Sequence, residues 1–469
     1  MQRRPSLFLF FLMMIAICQQ SCQSAANNQL KDTKDSAVVK LITLDPGHFH
    51  AALVQKSMYP EIDSTVYVYA PGGAELQAHL ALIKQYNERQ DNPTHWNEKV
   101  YTGSDFLNKM LTEKKGNVVV LAGNNQRKTE YISKVINAGL NVLGDKPMAI
   151  NSSNFAVLEN AFNTAAKNGV LLYDIMTERS EITNILQKEL AHTPAVFGTL
   201  AAGTQNNPAV VIESVHYFYK YVSGNVLTRP DWFFDPEQQG EAIADVGTHL
   251  IDLVQWALFP DTAIDYKKDI DIKAARIWTT PVTLSQFAAV TKETAFPSFL
   301  QRYVTHDTVL QTHANGEIDY TLKGVPVKLT ARWDYQAPEG SGDTHYCLMK
   351  GTKANLEIRQ GKEENYKPAL YIIRKSKDSG SEKEVQDAIE QLSVKYPGIS
   401  LQKNKHGWQV MIPEKYKVGH EAHFAQVMQR YLQYFKERKL PGWEVPDMIA
   451  KYYTATKALE MATKNTHNH

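Results

Sequence analysis

The sequence has little cysteine and no excess of charge of either sign. Its 469 residues include three cysteines, too few for a disulfide framework. The 51 Lys and Arg residues are matched by 50 Asp and Glu residues, and no basic stripe is interleaved with aromatics. We therefore expect no nucleic-acid partner. The remaining composition, 43% hydrophobic, is that of a globular chain long enough for two domains.

The start of the chain has the features of a targeting segment. Two arginines precede an apolar run over 7–18, which has signal-peptide length and is short for a membrane span. Ser21 before Cys22 resembles a bacterial lipoprotein cleavage site, although Gln19 stands where a Leu-like residue is usual. An uncleaved anchor is the alternative. We expect a signal peptide (1–22), lipidation at Cys22, a polar tether (23–37), and a periplasmic or outer-membrane-associated lipoprotein that meets the membrane only through its lipid.

Short apolar runs alternate with helical patterns between residues 38 and 176. This rhythm predicts an α/β domain with a doubly wound, Rossmann-like parallel sheet. Such sheets bind ligands at the carboxyl ends of their strands. The predicted strands are 38–44, 64–70, 118–122, 140–143 and 170–174, and the predicted helices are 75–89, 128–138 and 155–167.

The first strand ends in a poor match to the dinucleotide-binding pattern G-x-G-x-x-G. Asp45 and His50 replace two glycines, while Gly47 supplies the middle one. We still expect the following helix to offer N–H groups and its dipole to a phosphate. The second strand ends without an acid for a ribose or a nearby arginine, so NAD and NADP both stay open. The candidate cofactor contacts are Pro46, Gly47, His48, Phe49, His50, Ala70, Pro71, Gly123, Asn124 and Asn125.

Residues 177–440 read as an α+β domain with an open, mostly antiparallel sheet. After a helix over 181–191, β-rich runs cover 197–201, 210–219, 270–278, 308–311, 316–322, 327–333 and 345–349. The segment 362–405 is charged, contains a helical stretch over 384–394, and reads as a solvated insertion. The open sheet is a candidate surface for a homo-oligomer.

One helical stretch, 238–256, interrupts these strands and carries polar groups on one face. Asp245 and His249 are four residues apart, and Asp252 follows one turn later. Such a set suits proton transfer or a metal. Because Glu213 and His216 lie on a strand-like run, we expect no resident metal here, and a site shared by Asp245 and His249 with these two is the lesser alternative.

The order of these segments resembles the glucose–fructose oxidoreductase/inositol dehydrogenase (Gfo/Idh/MocA) family. GDKPMAI at 144–150 looks like its E-K-P segment, with Asp145 in place of Glu, and GEAIADVGTHLIDL at 240–253 looks like its second motif. A Gly351-Thr352 turn and the helix at 453–462 match later features. With its envelope signal and divergent turn, the chain looks like the secreted subgroup with a distinctive oxidoreductase C-terminal domain. We expect a C-terminal helix, 441–469, that packs back on the first domain.

The resemblance implies an NAD(P)-dependent oxidoreductase. Lys146 would lie near the nicotinamide together with Asp145, His249 would accept the alcohol proton, and Asp245 would bind substrate or orient the pair. This agrees with elementary chemistry, because removal of hydride from an alcohol carbon also requires a base for the O–H proton. Arg179, His216 and Trp232 are further candidates for contact with a sugar.

Two classes of function follow. The first is an envelope enzyme that holds NAD or NADP tightly through turnover and acts on a hydroxyl of a sugar, polyol or glycoside, either by net oxidation and reduction or by glycoside cleavage through a transient keto-sugar. The second is a non-catalytic sugar-binding lipoprotein on the same fold. The incomplete glycine turn favours the second, whereas the presence of Lys146, Asp245 and His249 together favours the first.

Overall fold

The computed structural model describes residues 38–222, 225–375, 382–405 and 407–467. The predicted signal peptide, its lipidation residue Cys22 and the tether lie outside this part of the chain. No helix in the described ranges is both long enough and apolar enough to cross a membrane.

The first domain is built on a six-stranded sheet in which every pair of neighbours is parallel. Apolar side chains bury the central strands completely, and the strand order is β3-β2-β1-β4-β5-β6. This is the doubly wound arrangement that the sequence predicted, and it gathers the carboxyl ends of the strands at one edge. The strands are β1 (Leu41–Leu44), β2 (Thr65–Ala70), β3 (Asn97–Thr102), β4 (Val118–Leu121), β5 (Asn141–Asp145) and β6 (Leu172–Ile175).

Five helices connect these strands. The side chains of Asn124 and Asn151 cap the amino ends of two of them by accepting backbone N–H groups, and Gly169 ends one in the left-handed conformation. The first helix is a single turn. The helices are α1 (His50–Leu53), α2 (Ala74–Glu88), α3 (Phe106–Glu113), α4 (Asn125–Asn137) and α5 (Ser152–Asn168).

The second domain contains a ten-stranded sheet that is antiparallel except where β7 and β13 pair in parallel. It comprises β7 (Val210–Tyr219), β10 (Ile270–Thr283), β11 (Val304–Thr305), β12 (Val309–Leu322), β13 (Val325–Gln336), β14 (Thr344–Lys350), β15 (Ala354–Gln360), β16 (Ala369–Arg374), β17 (Ser400–Asn404) and β18 (Gly407–Met411), and a separate ribbon pairs β8 (Tyr221–Val222) with β9 (Asn225–Val226). Its helices are α6 (Ile182–Ala191), α7 (Ala242–Leu258), α8 (Tyr266–Asp269), α9 (Leu284–Thr291) and α10 (Glu382–Lys395).

Three sequence predictions for this domain need correction. The two short strands predicted over 308–322 are one strand, β12, because the buried Asn315 satisfies its amide within the sheet by bonding Trp333 N and Thr280 Oγ1. The run 197–201 is not a strand and makes one isolated bridge at Leu200. The segment 362–405 is not a separate insertion, because β16 and β17 extend the main sheet and α10 buries Val385.

Two helices at the end of the chain pack against the first domain. They are α11 (His420–Glu437) and α12 (Glu444–His467). Phe424 and Tyr431 of α11 belong to the first core. Along α12, Tyr452 belongs to the hydrophobic core of the first domain and Ala455 to the hydrophobic core of the second domain. The chain therefore returns to the first domain from His420 onwards, and α12 joins the two cores.

Candidate active site

An ion pair links the two domains at the carboxyl edge of the first sheet. Lys146 directly follows β5, and Asp245 lies in the first turn of α7. The Lys146 Nζ donates to the Asp245 Oδ1 at 2.6 Å, and the two side chains are 13% and 7% exposed. Burial disfavours both charges, but the partner and the other neighbouring groups together outweigh it, so the pKa of Lys146 is raised and that of Asp245 is lowered. Two of the predicted site residues are thus in contact and ionised.

His249 lies one turn beyond Asp245 on the same face of α7. Its ring is partly buried, and its Nδ1 has no hydrogen-bond partner among the described residues. Burial holds the pKa of His249 well below its usual value, and the positive charge of Lys146 lowers it further. His249 is therefore a neutral imidazole at neutral pH, with an unused nitrogen that can take part in proton transfer.

A second group of side chains surrounds Asp145, the residue before Lys146. The Asp145 Oδ2 lies 2.9 Å from His50 Nδ1 and 3.9 Å from His48 Nδ1. On the far side of the His50 ring, Nε2 lies 3.3 Å from Nε2 of His420, the first residue of α11. Burial opposes the charge of Asp145, but His50, Lys128 and His48 together outweigh it, and the pKa of Asp145 is lowered. Sequence reasoning found His48 and His50 but missed His420.

Lys128 is another residue at this edge that sequence reasoning missed. Its Nζ donates to the Asn125 Oδ1 at 2.5 Å and to the backbone oxygen of Asp145 at 3.1 Å, and burial lowers its pKa to about 8. The Asn125 amide also donates to the backbone oxygen of Gln239 at 2.8 Å. Asn124 bonds the side chain of the neighbouring glutamine, also at 2.8 Å. These two asparagines, predicted to contact a cofactor, hold the segment before α7.

The turn after β1 differs from the predicted phosphate site. Because α1 has four residues, its dipole is small. The N–H groups of Gly47 and His48 already donate to the backbone oxygen of Ala122, at 3.2 and 3.1 Å. Phosphate binding at this helix end therefore stays a prediction, and the N–H groups of Gly47 and His48 could serve it only by leaving Ala122. The turn packs directly on β4, since a Cβ at Gly123 would lie 2.3 Å from the backbone oxygen of Asp45.

An acid that β2 lacks is supplied from the next helix. Glu75 lies in the first turn of α2, and its carboxyl carbon is 3.4 Å from where a Cβ on Gly47 would be. In dinucleotide-binding folds an acid beside this turn bonds the ribose hydroxyls. Glu75 accepts the Nε1–H of Trp232, and burial raises its pKa. Sequence reasoning missed Glu75 because it stands five residues beyond the end of the strand.

The predicted sugar contacts occupy different places. Trp232 lies in a 3-10 turn, Asp231–Phe234, and its indole is directed to Glu75 at the glycine turn. His216, on β7, lies 3.2 Å from a carboxylate oxygen of Asp343. Among the weaker causes that lower the pKa of Asp245 is the charge of His216.

Arg229 is a buried cation in this region. Its guanidinium lies 4.6 Å from the Phe233 ring and 4.9 Å from the Trp333 ring, and it donates to the backbone oxygens of Tyr217 and Phe218. Burial lowers its pKa to about 10. Within the described ranges no carboxylate forms an ion pair with Arg229, which leaves its charge available to a polar ligand.

Arg179 is not part of the cleft, although the sequence suggested a substrate contact. Its guanidinium makes two bonds of 2.6 Å to Asp252 and two of 3.1 Å to Glu444, and the residue is 5% exposed. Lys451 completes the network by bonding Asp252 at 2.8 Å and Asp174 at 2.7 Å. These five buried charges connect β6, α7 and α12, so the role of Arg179 and Asp252 is structural.

The cofactor that the resemblance implies fits the residues present at its two ends. At one end Glu75 lies beside Gly47, and Gly72 and Gly73 leave open space above their backbones. At the other end Lys146 adjoins His249. The remaining candidate contacts, Pro46, Phe49, Ala70 and Pro71, lie along the same edge, with Phe49 42% exposed. Between these two ends, the N–H groups of Gly47 and His48, which precede α1, bond the backbone oxygen of Ala122.

Comparisons with known proteins agree with this architecture. Residues 47–174 match the family model described as "Oxidoreductase family, NAD-binding Rossmann fold", and residues 186–463 match the "Putative oxidoreductase C terminal domain". The crystal structure of a "putative oxidoreductase" from Parabacteroides merdae ATCC 43184 is 54% identical and has a TM-score of 0.90, covering 91% of this chain and 98% of its own. No curated protein matches the chain.

More distant solved structures share the fold alone. A levoglucosan dehydrogenase in complex with NADH and levoglucosan is 12% identical with a TM-score of 0.57, covering 91% of this chain and 97% of its own. The 3-ketoreductase KijD10 from Actinomadura kijaniata, in complex with NADP and TDP-benzene, is 14% identical with a TM-score of 0.53 over the same shares. The chain therefore belongs to the Gfo/Idh/MocA family of NAD(P)-dependent oxidoreductases.

Proposed function

We propose that this protein oxidises or reduces a hydroxyl-bearing carbon of a sugar, polyol or glycoside in the cell envelope, with a nicotinamide cofactor that stays bound through turnover. The observation that carries the proposal is the contact of Lys146 with Asp245 beside the neutral His249. Distant structural neighbours include a levoglucosan dehydrogenase in complex with levoglucosan and a 3-ketoreductase, and the first of these supports a carbohydrate substrate.

The chain's own residues can accept the O–H proton of the alcohol and stabilise the negative charge on its oxygen. When bound, the nicotinamide supplies the hydride acceptor or donor. The neutral imidazole of His249 accepts the O–H proton as the alcohol becomes a carbonyl. The ammonium of Lys146 stabilises the negative charge that develops on that oxygen, and Asp245 holds the ammonium in place. Arg229 and His216 are available for the remaining hydroxyls of the sugar.

We propose NAD rather than NADP as the nucleotide. The Glu75 carboxylate beside Gly47 suits a ribose diol, and its charge would repel a 2′-phosphate. Mass spectrometry of small molecules released from the purified, unfolded protein identifies the nucleotide. Recovery of NAD at close to one equivalent is expected. A protein that carries no nucleotide, and binds none when NAD+ and NADP+ are supplied, would be better explained as a sugar-binding lipoprotein.

The catalytic assignment is tested with Lys146→Met and His249→Gln. We expect each to lower turnover about 10²–10⁴-fold on the best substrate from a panel of glycosides and polyols, because each removes a group that acts in proton transfer or charge stabilisation. Lys99→Met, an exposed lysine on β3, is the matched control. Nucleotide content is measured for every variant, since Lys146→Met also leaves Asp245 buried without its partner. Full activity in both site variants would refute the assignment.

Redox-neutral glycoside cleavage is a second candidate, and the extra titratable groups near Lys146 favour it. Elimination from a keto-sugar needs a base for a carbon-bound proton and an acid for the leaving group, besides the group that serves the hydroxyl. Burial raises the pKa of Glu178, which adjoins Lys146, to about 7, and the rings of His50 and His420 lie nearby. Exchange of solvent deuterium into the recovered sugar, with release of aglycone and no net change in nucleotide redox state, distinguishes cleavage from net oxidation.

The envelope location rests on the first 22 residues of the sequence. We propose that Cys22 is lipidated and retains the protein at a membrane. Labelling with a fatty acid and cell fractionation test this. Label and membrane association should both be lost in Cys22→Ser, and labelling that persists in this variant would contradict the assignment.

A further inference from the structure

Three metal-ligand side chains converge at the edge of the first sheet, beside the Lys146–Asp245 pair but sharing no residue with it. They are His48 and His50 in the turn after β1 and Asp145 at the end of β5. Each offers one ligand atom, and these atoms all lie within 4.8 Å of one another. Asp145 is 4% exposed and His50 8% exposed, so the group is largely withdrawn from bulk water.

The measured spacings suit a single ion. Two ligand atoms that each lie about 2.1 Å from one metal are separated by roughly 3.0–4.2 Å, depending on the angle between them. The Asp145 Oδ2 lies 2.9 Å from His50 Nδ1 and 3.9 Å from His48 Nδ1. The third separation, between the two histidines, is no more than 4.8 Å, and the Nδ1 of His48, which also accepts the backbone N–H of His50, would have to turn towards the ion.

The side chain of Asp145 is hydrogen-bonded by a histidine and by neither of the two nearby lysines. Lys128 bonds the backbone oxygen of Asp145 rather than its carboxylate, and Lys146 bonds Asp245. Among the described residues, the only hydrogen bond to the Asp145 carboxylate comes from His50. A buried carboxylate requires a cation or several donors. A metal ion at this position meets that requirement.

His420 supplies the outer contact that metal-binding histidines usually have. Its Nε2 lies 3.3 Å from the Nε2 of His50. When His50 carries its proton on Nε2 and donates it in a hydrogen bond to His420, the Nδ1 of His50 is unprotonated and faces Asp145. Such second contacts fix the tautomer and orientation of a ligating imidazole.

We propose that His48, His50 and Asp145 bind one divalent first-row transition-metal ion, with zinc as the expected occupant. Two imidazole nitrogens and one carboxylate oxygen are typical ligands of such ions, and three protein ligands leave a position open for water or a substrate oxygen. This site is distinct from the pair of Asp245 and His249, and it does not depend on the proposed nicotinamide chemistry. Its competitor is a metal-free chain of hydrogen bonds from Asp145 through His50 to His420.

The test uses the untagged protein without nucleotide or substrate. It is saturated with Zn²⁺ or Co²⁺ alone and dialysed against a weak chelator, and the bound metal is counted by mass spectrometry. About one ion per chain is expected. His50→Ala and Asp145→Asn should abolish stoichiometric binding, and His420→Gln should weaken it about 10–100-fold. His313→Ala is the control, since His313 also lies 2.9 Å from a carboxylate, that of Glu241, and should bind as the wild type does.

Failure to bind metal in the wild type would overturn the proposal, as would unchanged binding in folded His50→Ala and Asp145→Asn variants. If those variants do not fold, X-ray absorption of the zinc-loaded wild type decides the matter. Nitrogen and oxygen ligands are expected, and a sulfur ligand would refute the assignment. Because the nucleotide is assayed separately, loss of the metal site and loss of the proposed oxidoreductase function give different results.

Discussion

Replacing Asp252 with asparagine should destabilise the protein and displace its catalytic helix. Asp252 lies on α7, one turn beyond His249, and is 1% exposed. It accepts two hydrogen bonds from Arg179 and one from Lys451. Asparagine has almost the same shape but carries no charge, so this change isolates the electrostatic contribution from packing.

The expected loss is about 3–5 kcal/mol in the free energy of unfolding, the range for breaking a buried ion pair by removing one partner. Arg179 retains Glu444 and Lys451 retains Asp174, which places the expectation at the lower end, about 3 kcal/mol. Because α7 also carries Asp245 and His249, a small shift of the helix separates these groups from Lys146. Displacement of about 1 Å can reduce turnover about 10²-fold.

Equilibrium unfolding in urea gives the stability change, and steady-state kinetics give the change in kcat and KM. The matched control is Asp387→Asn on α10, where an exposed carboxylate pairs with Lys383 four residues earlier. That change should cost about 0.5 kcal/mol or less. If Asp252→Asn costs no more than the control, the network does not hold the two domains together and our reasoning about α7 is wrong.

Three further predictions concern other parts of the chain. Burial raises the pKa of Asp447 to about 7, so the protonated carboxyl contributes stability below pH 4 that is lost as the pH rises to 7. Asp447→Asn should remove this loss and raise the free energy of unfolding by up to about 4 kcal/mol at pH 8. An unchanged pH profile of unfolding in the variant would refute this prediction. Gly123→Ala forces a Cβ against the Asp45 backbone oxygen and should cost about 1–3 kcal/mol by urea unfolding, whereas Gly419→Ala, which has open space, should cost little. Glu75→Ser should weaken NAD+ binding about tenfold by calorimetry and reduce any preference over NADP+; equal affinities in variant and wild type would exclude a ribose contact.

The first sheet could be predicted because its signal is local. Completely buried parallel strands require short apolar runs, and the runs at 118–122 and 140–143 have no other plausible use. The second sheet was harder because its strands contain polar residues whose partners lie on other strands. In the sequence Asn315 interrupts the apolar pattern of a strand, yet in the fold it bonds the backbone of β13 and the side chain of Thr280.

The candidate site likewise contains residues that local sequence motifs predict and residues whose partners are distant in the sequence. Lys146, Asp245 and His249 belong to short motifs with fixed spacing, so the sequence sufficed to propose them. His420 reaches His50 only because α11 returns to the first domain after the whole second domain, and nothing in its own neighbourhood marks it. Glu75 escaped notice because the expected acid is sought at the end of β2, whereas the turn at Gly72 and Gly73 lets the first residues of α2 reach the same place.

The position of α7 explains why one helix can serve both stability and chemistry. Asp245, His249 and Asp252 stand at i, i+4 and i+7, and therefore share one face that points towards the first domain. The first contacts Lys146 and the last contacts Arg179, so two ion pairs fix the helix on either side of His249. An imidazole held in this way can stay neutral and poorly bonded without being displaced. Comparing Asp252→Asn with Lys146→Met should therefore separate the two roles: the first variant loses kcat only through the displaced helix and together with folding free energy, whereas the second removes the ammonium itself and has the larger loss of kcat.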